Sequence, residues 1–274
     1  MKLHIGLDWL RCTTEAPLSQ CLPDLPDVEY AFFDHAKYGY NQAYGLDKFV
    51  IAAMFNESRP DMKTSIQLSG IGLQMIRDAG WTDLQIVRKY CDLGKITRID
   101  VAIDLDNPEI SPRDLWQSYE LGTFKSITKN VTNVDQRGTD AGYTMYIGSW
   151  KSDRQIRVYD KSAQLKDLAA FVTRIELVGR SKRADAIARA STLAGVVPVA
   201  KREIISMVPS SGVAWFDDVI RRDASEFGAL VPREDKSPEV FARRTVIPWL
   251  EKNADKLAPE TRAMIALLAT YGKQ

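Results

Sequence analysis

Alternating apolar and polar positions mark three segments of the chain as β-strands. In residues 97–104, isoleucine or valine occupies every second position from Ile99, with charged or small side chains between. Residues 155–161 and 173–177 repeat this alternation. Because successive side chains of a strand point to opposite faces, each segment has one apolar and one polar face. The pattern predicts strands that cover a hydrophobic core and carry a row of polar groups on their other side.

The rest of the chain mixes shorter strands with helices and then becomes helical. Further strands are predicted at residues 48–55, 65–68 and 143–147. The polar stretch 129–141 is predicted to be a mobile loop. Helices are predicted at residues 71–79, 82–91, 111–119, 181–194, 213–222, 238–252 and 259–271. This order favours an α+β core followed by a helical C-terminal region.

Composition excludes several classes of protein. The 274 residues are 45% hydrophobic and 27% charged, which excludes a disordered, collagen-like or coiled-coil chain. No apolar run approaches the roughly 18 residues of a membrane span. In residues 1–9, Asp8 interrupts the apolar pattern before the hydrophobic core of a signal peptide could form. The three cysteines include no CxxC pair and are typical of reduced thiols. We therefore expect a cytoplasmic protein with no membrane partner.

The net charge of +1 hides an uneven distribution of charge. Residues 1–120 carry 12 basic and 18 acidic side chains, whereas residues 121–200 carry 13 and 7. The basic middle third is suited to a polyanion such as nucleic acid, although the solvated face of an ordinary domain can show the same excess. Charge alone leaves both interpretations open.

Two carboxylates on the polar face of residues 97–104 indicate a metal site. Asp100 and Asp104 flank Ala102 on that face, and we expect their Cα atoms to be about 6–7 Å apart. Carboxylates at such a spacing suit a hard divalent cation, Mg²⁺ or Mn²⁺. The alternative is a plain amphipathic strand with its acids in water.

Tyr159 lies between two cations on the polar face of residues 155–161. By strand parity Arg157 and Lys161 share its face, and their charge favours the phenolate. A tyrosine in this setting is a candidate nucleophile toward phosphorus, with cations placed to hold phosphate oxygens. A structural tyrosine among exposed cations is the alternative.

Residues 173–176, Thr-Arg-Ile-Glu, resemble residues 97–100, Thr-Arg-Ile-Asp. Parity places Arg174 and Glu176 on the polar face. If the three strands share a sheet, one face gathers three carboxylates, a tyrosine and several cations. Such a set is suited to phosphodiester cleavage.

A candidate DNA-backbone contact lies between two of these strands, in residues 142–154. Gly148 and Ser149 allow a tight turn with exposed N–H groups. Donors for phosphate follow at Lys151, Ser152 and Arg154. A hairpin turn with solvated charges is the alternative.

Taken in order, these motifs resemble the Rep_trans family, which comprises rolling-circle replication initiators of plasmids and phages with related conjugative relaxases. The resemblance spans about residues 5–190, with a weaker echo at residues 245–250. The motifs that carry it are Asp8-Trp9-Leu10, Ser69-Gly70, Thr97-Arg98-Ile99-Asp100 with Asp104, Tyr146-Ile147-Gly148-Ser149, Lys151-Ser152, Arg157-Val158-Tyr159-Asp160-Lys161 and Thr173-Arg174-Ile175-Glu176-Leu177.

The resemblance implies an antiparallel sheet with flanking helices, a catalytic nicking domain at residues 1–180 and a helical region at 181–274 that binds DNA or a partner. It implies that Tyr159 nicks one DNA strand at an origin, keeps the 5′-phosphate as a phosphotyrosine and leaves a 3′-OH. Arg157 would lie beside the scissile phosphate. The metal, Mg²⁺ or Mn²⁺, would be held by Asp100, Asp104 and Glu176.

The resemblance also implies partners and DNA contacts. The partners would be origin DNA, as a single strand or an extruded hairpin, a host helicase and a second copy of the chain. The DNA contacts would be those of Lys151, Ser152, Arg154, Lys161 and Arg174.

The chain departs from related nicking enzymes at two points. It has only His4 and His35 and no His-x-His pair, so a metal would need carboxylates. Trp150 stands where the family commonly has a basic residue, and it would weaken a phosphate contact or add a base-stacking platform. The alternative tyrosines are Tyr38, Tyr40, Tyr44, Tyr143 and Tyr146. Rival functions are a non-catalytic DNA-binding repressor or partition factor, and a metal-dependent nuclease that uses water.

Overall fold

The computed structural model describes residues 2–136, 142–165 and 172–222, all within one compact unit that spans Met1–Val231. The strands in these ranges are β1 (Lys2–Thr14), β2 (Ala31–Phe33), β3 (Gln42–Gly45), β4 (Ile51–Phe55), β5 (Thr64–Leu68), β6 (Lys95–Asp106), β7 (Val131–Gln136), β8 (Gly142–Ile147), β9 (Arg154–Asp160) and β10 (Val172–Arg180). The α-helices are α1 (Leu18–Cys21), α2 (Gly70–Asp78), α3 (Asp83–Leu93), α4 (Pro112–Glu120), α5 (Lys161–Leu165), α6 (Ser181–Ala194), α7 (Val196–Met207) and α8 (Ala214–Arg221).

All ten strands form one sheet in the order β2-β3-β4-β5-β1-β6-β10-β9-β8-β7. Every neighbouring pair is antiparallel. The long strands β1 and β6 pair along the centre, from Lys2 opposite Asp106 to Thr13 opposite Lys95. The predicted α+β fold with an antiparallel sheet and flanking helices is confirmed.

Helices cover one face of the sheet and enclose the core. Ile99, Val101 and Ile103 are fully buried on this face, as the alternation predicts. Helices α3, α6 and α7 pack against β1 and β6, so the first helices after residue 180 belong to the same core. The division of function at residue 180 stays a prediction. The helices predicted at 238–252 and 259–271, and the echo at 245–250, lie outside the described residues.

The other face of the sheet is polar over its central strands. A small apolar cluster of Ala43, Phe49, Ala52 and Met54 covers this face only at the β3–β4 end. Across β1, β6, β10, β9 and β8 the face carries the charged and aromatic side chains that the parity argument groups together. We call it the polar face below.

Two helices begin as their sequences predict. Thr82 caps α3 and Ser111 caps α4, each in a reciprocal capping box with the residue three positions later. Gly195, at φ 87°, separates α6 from α7, a helix that the sequence pattern did not predict. No helix in the described ranges combines the length and apolar character of a membrane span.

Several predicted boundaries are wrong. Residues 131–136, assigned above to a mobile loop, form the edge strand β7, which pairs with β8; residues 137–141 lie outside the described ranges. An edge strand tolerates polar residues on its solvent side, so its composition resembles that of a loop. Strand β4 begins at Ile51, because residues 47–49 form a 3-10 turn. The sequence also contained no clear sign of the 13-residue strand β1.

Candidate active site

The register of β6, β10 and β9 brings the predicted site residues to the polar face in two rows. Arg174 lies directly opposite Asp104 on β6 and Tyr159 on β9. Glu176 lies opposite Ala102 and Arg157. Directly opposed residues share a face of a sheet. Strand parity and pairing together therefore assemble the tyrosine, the carboxylates and the cations on one surface.

Asp104 is the centre of the first row. It accepts hydrogen bonds from Arg174 at 2.5 and 2.8 Å and from Lys161 Nζ, at the start of α5, at 2.7 Å. Burial by itself would raise the pKa of Asp104, but the hydrogen bonds from Arg174 and Lys161 outweigh it and hold the pKa below its ordinary value. Arg174 and Lys161 are thus engaged by protein carboxylates, and their contact with DNA stays a prediction.

Asp8 joins this row through a β-bulge. The register of β1 against β6 shifts between Leu7 and Trp9, which leaves Asp8 as the extra residue. Its Oδ1 accepts from Arg174 Nη1 at 2.8 Å. The motif Asp8-Trp9-Leu10 indicates no role for Asp8 by itself, because a bulge depends on how two strands pair.

Glu176 is the carboxylate of the second row, and it is deeply buried. Its side chain is 1% exposed, and Oε1 accepts from Arg157 Nη2. In the part of the chain that the structure describes, Oε2 is buried without a hydrogen-bond partner. Burial raises the pKa of Glu176, the negative charges of Asp100 and Asp8 raise it further, and Arg157 opposes them. The second row thus contains a carboxylate whose charge is only partly compensated.

Asp100 is held by Arg98, which lies two residues earlier on β6. Arg98 Nη2 donates to Asp100 Oδ2 at 2.6 Å, and Arg98 Nε donates to both carboxylate oxygens. Arg157 Nη2 lies 3.8 Å from Asp100 Oδ2. Asp100 and Glu176 therefore share Arg157 as a neighbour.

The expected spacing of Asp100 and Asp104 is wrong. They are four residues apart on β6, so their Cα atoms are separated by about 13 Å, and Asp104 belongs to the first row. Within the described residues, no group of three His, Cys, Asp or Glu side chains is close enough to hold a metal ion. The unsatisfied Glu176 Oε2, beside Asp100, does fit a hard cation. A single ion held by Asp100, Glu176 and Asp104 together does not fit this geometry.

The phenol of Tyr159 is not activated as the sequence predicts. Burial raises its pKa, and the charge of Glu176 raises it further; Arg174 and Arg157 act in the opposite direction but do not outweigh these two effects. The expectation that flanking cations favour the phenolate omitted burial and the carboxylate on the adjacent strand. These effects favour the protonated phenol.

The alternative tyrosines differ in their position relative to this face. On β8, Tyr146 lies opposite Arg157 on the polar face, whereas Tyr143 is buried on the other side and accepts from Asn133 Nδ2 at 2.8 Å. Tyr44 packs against Tyr30 and Phe32. Among the tyrosines on described strands, Tyr146 is thus the one that shares the face of Tyr159.

Arg154 lies away from the site. It has the parity of Ile156 and Val158, so its side chain points to the core, where Nη1 donates to Glu203 Oε2 at 2.8 Å. Arg183 on α6 donates to the same carboxylate at 3.0 Å. Lys151 and Ser152, by contrast, lie in the predicted tight turn, which Gly148 opens at φ 99°. Lys151 is exposed beside Trp150, which is itself 73% exposed.

The two histidines have different surroundings. His35 packs edge-on against Phe33 and Phe49, as a structural residue would. His4 is exposed and directly opposite Asp104.

Comparison with known proteins bears on the segment that holds this site. Residues 94–206 match the Rep_trans family, described as replication initiation factors. The predicted family resemblance is confirmed over this segment. The segment runs from β6 to α7 and contains every site residue that the sequence predicted. Asp8 and Trp9, on β1, lie outside it.

A solved structure has a similar fold. The chain is similar to a solved structure titled as a rolling circle replication initiator protein from Geobacillus stearothermophilus, with a TM-score of 0.62 and 20% sequence identity. The match covers 76% of this chain and 86% of that one. At this identity the similarity establishes the fold. A comparison with curated protein sequences found no significant match.

Proposed function

We propose that this chain initiates rolling-circle replication by nicking one strand of origin DNA with Tyr159. The observation that carries the proposal is the polar face itself. Tyr159 and Arg157 lie two residues apart on β9, and directly opposite them on β10 lie Arg174 and Glu176, all within residues 94–206 that match the family. A tyrosine beside two guanidinium groups suits attack on a phosphodiester, because the guanidinium groups stabilise charge on the phosphate oxygens.

In the proposed reaction the phenol oxygen of Tyr159 bonds to phosphorus and the bond to the 3′ oxygen breaks. The phenol loses its proton, and the departing 3′ oxygen takes one up and becomes a 3′-OH. The 5′-phosphate stays on the enzyme as a phosphotyrosine, so the strand can be rejoined. Arg157, next to Tyr159 on β9, would contact the scissile phosphate.

Mg²⁺ or Mn²⁺ is part of the proposal. Glu176 Oε2, which lacks a partner among the described residues, and Asp100 would hold the ion. When bound, the ion would polarise the scissile phosphate. Asp104 would instead keep Arg174 in place. This assignment keeps two of the three predicted metal ligands and gives the third a positioning role.

The proposal includes the partners that the family resemblance implies. Origin DNA, single-stranded or extruded as a hairpin, is the substrate. A host helicase, a second copy of the chain, a cytoplasmic location and a DNA- or partner-binding role for the region after residue 180 stay predictions. A conjugative relaxase would use the same chemistry on a transfer origin.

A denaturing gel tests the proposal. The protein is mixed with a labelled single-stranded oligonucleotide library, in Mn²⁺ or in EDTA, and then heated in detergent. We expect a DNA–protein band in Mn²⁺ that is absent in EDTA and in Tyr159→Phe. Tyr146→Phe is the matched control, because Tyr146 lies on the same face, and it should keep the band.

Two results would redirect the assignment. Cleavage without a covalent band, unaffected by Tyr159→Phe, would indicate a nuclease that uses water. Metal-independent binding without cleavage would indicate a DNA-binding regulator.

A further inference from the structure

The polar face continues beyond the two rows into a pair of arginine–aromatic contacts. Trp9 lies opposite Asp100, and Arg11 lies opposite Arg98. The Arg98 guanidinium carbon is 4.9 Å from the centroid of the Trp9 ring, and that of Arg11 is 3.7 Å from the centroid of the Tyr38 ring. We call Trp9, Arg11, Tyr38 and Arg98 the stacking track.

Three arginines form one cross-strand row along the track. Arg98 lies opposite Arg11 on β1 and opposite Arg180 on β10. Within the described ranges Arg98 is paired with Asp100, whereas neither Arg11 nor Arg180 forms an ion pair with a carboxylate. Burial and the neighbouring guanidinium of Arg98 lower the pKa of Arg11, with Tyr38 opposing them. Adjacent cations without carboxylate partners favour the binding of an anion.

Polar atoms and backbone strain on the track also point to a ligand. Trp9 Nε1 and Arg11 Nε are buried donors without a hydrogen-bond partner in the described structure. Tyr38 adopts φ 60°, a region that few residues other than glycine occupy, and the loop bends on through Gly39 at φ 84°. The Tyr38 residue is nevertheless 53% exposed, with Arg11 against its ring. Strain that holds an aromatic side chain at the surface is typical of a functional position.

We propose that the stacking track, together with the neighbouring Arg180, binds an unpaired stretch of the DNA strand, with a base on the Tyr38 ring and phosphates at Arg11 and Arg180. The inference deepens the proposed function and rests on it. Single-stranded DNA is the favoured ligand because its unstacked bases expose the ring faces that aromatic side chains bind, whereas a duplex keeps them stacked. On β6, Asp100, which lies opposite Trp9, is four residues from Asp104, and Arg98 is six residues from it, so the track lies about 13 to 20 Å along the face from the first row.

The position of the track also gives it a role in the reaction. A strand that crosses the face from Tyr159 to Tyr38 would pass the second row, where Arg157 and Glu176 lie. Binding at the track would hold the DNA on this path and present a phosphate to Tyr159. The track would therefore contribute to binding of the single strand without contacting the bond that breaks.

Anisotropy of a fluorescein-labelled oligothymidylate, with the full chain in EDTA, tests the track without cleavage. Tyr38→Asn removes the ring, and asparagine tolerates the left-handed backbone. We expect Tyr38→Asn to weaken binding by about 5- to 150-fold, the range for loss of one stacked base, and Tyr38→Phe to retain it. Phe32→Asn is the matched control, because Phe32 is 69% exposed and stacks on Tyr44 on the opposite side of the sheet. It should leave binding unchanged.

Arg11→Gln provides a second, independent measurement. Loss of one phosphate contact should reduce the slope of log affinity against log salt concentration by about 0.7 for a single strand. Thermal unfolding midpoints of all variants identify any that fail to fold. Unchanged affinity in Tyr38→Asn, an equal loss in Phe32→Asn, or an equal loss of duplex binding would overturn the inference.

The covalent-adduct assay separates this inference from the proposed function. If Tyr159 forms an adduct but the track variants bind DNA normally, the proposed role of the track is wrong and the nicking proposal stands. If no adduct forms but the track variants lose single-strand binding, the track binds the single strand and the nicking proposal is wrong.

Discussion

Arg174 Nη1 contacts Asp8 Oδ1 at 2.8 Å, which joins the strand β10 to a bulge 166 residues earlier in the sequence. The same guanidinium holds Asp104 at 2.5 and 2.8 Å. Arg174 is therefore fixed between two carboxylates from two strands. Because it lies directly opposite Tyr159, the bulge at Asp8 positions a group next to the proposed nucleophile.

The first prediction concerns Asp8→Asn. The variant should lose about 1 kcal/mol of unfolding free energy, because a neutral amide replaces a charged acceptor. It should slow adduct formation about tenfold, because Arg174 is less well oriented. Single-turnover adduct assays and thermal unfolding measure the two effects. Glu57→Gln, at an exposed position, is the control. A normal rate in a destabilised Asp8→Asn variant would show that the contact only stabilises the fold.

The second prediction separates the predicted metal ligands. Glu176→Gln and Asp100→Asn should each weaken Mn²⁺ binding at least tenfold, measured by the electron paramagnetic resonance signal of free Mn²⁺. Asp104→Asn should change it less than about twofold, because Asp104 is about 13 Å from Asp100 along β6. An equal loss in all three variants would mean that the carboxylates share one ion, against the geometry described above.

The third prediction concerns the cations near the turn after β8. Arg154→Met should lower the unfolding free energy by about 3 kcal/mol, because it removes one partner of the buried Glu203. Lys151→Met, at an exposed position three residues earlier, should change it by less than about 0.5 kcal/mol. Denaturant unfolding measures both, and DNA binding should fall only in Lys151→Met. A folded Arg154→Met variant with weak DNA binding would instead support the DNA contact that the sequence predicts for Arg154.

The fourth prediction concerns the cysteines, all of which are free and buried. Burial, the largest cause, raises the pKa of Cys12 to about 12 and the pKa values of Cys21 and Cys91 to about 11. The folded protein should therefore react slowly with a thiol reagent at pH 8, and three equivalents should react once it is unfolded.

The same shifts predict the sign of a pH effect on stability. An unfolded chain releases thiol protons near pH 8.5, whereas the folded chain keeps them to about pH 11. The free energy of unfolding should thus fall as the pH rises through this window. Replacement of all three cysteines by serine should reduce the fall, most clearly below about pH 10, where the buried tyrosines with raised pKa values do not yet contribute. Rapid native labelling at pH 8 would contradict the prediction.

The local sequence pattern was sufficient to predict the strands that carry the site. Alternation in residues 97–104, 155–161 and 173–177 predicts both the strands and their polar faces, because the two-residue period is a property of the extended backbone alone. The caps at Thr82 and Ser111 are equally local. The parity of Arg154 with Ile156 also indicates burial of Arg154, although Arg154 was predicted to contact DNA.

The pairing of the strands and the burial of their side chains decided how the site is arranged. The β6–β10–β9 register determines that Arg174 separates Asp104 from Tyr159, and the shift between β1 and β6 turns Asp8 toward Arg174. Burial next to Glu176 raises the pKa of Tyr159, although two neighbouring cations act against it. Each of these depends on residues distant in sequence, whose distances and dielectric surroundings exist only after the sheet has formed. The period of a strand can be predicted from the chain, whereas the partner across the sheet and the depth of burial come from the tertiary structure.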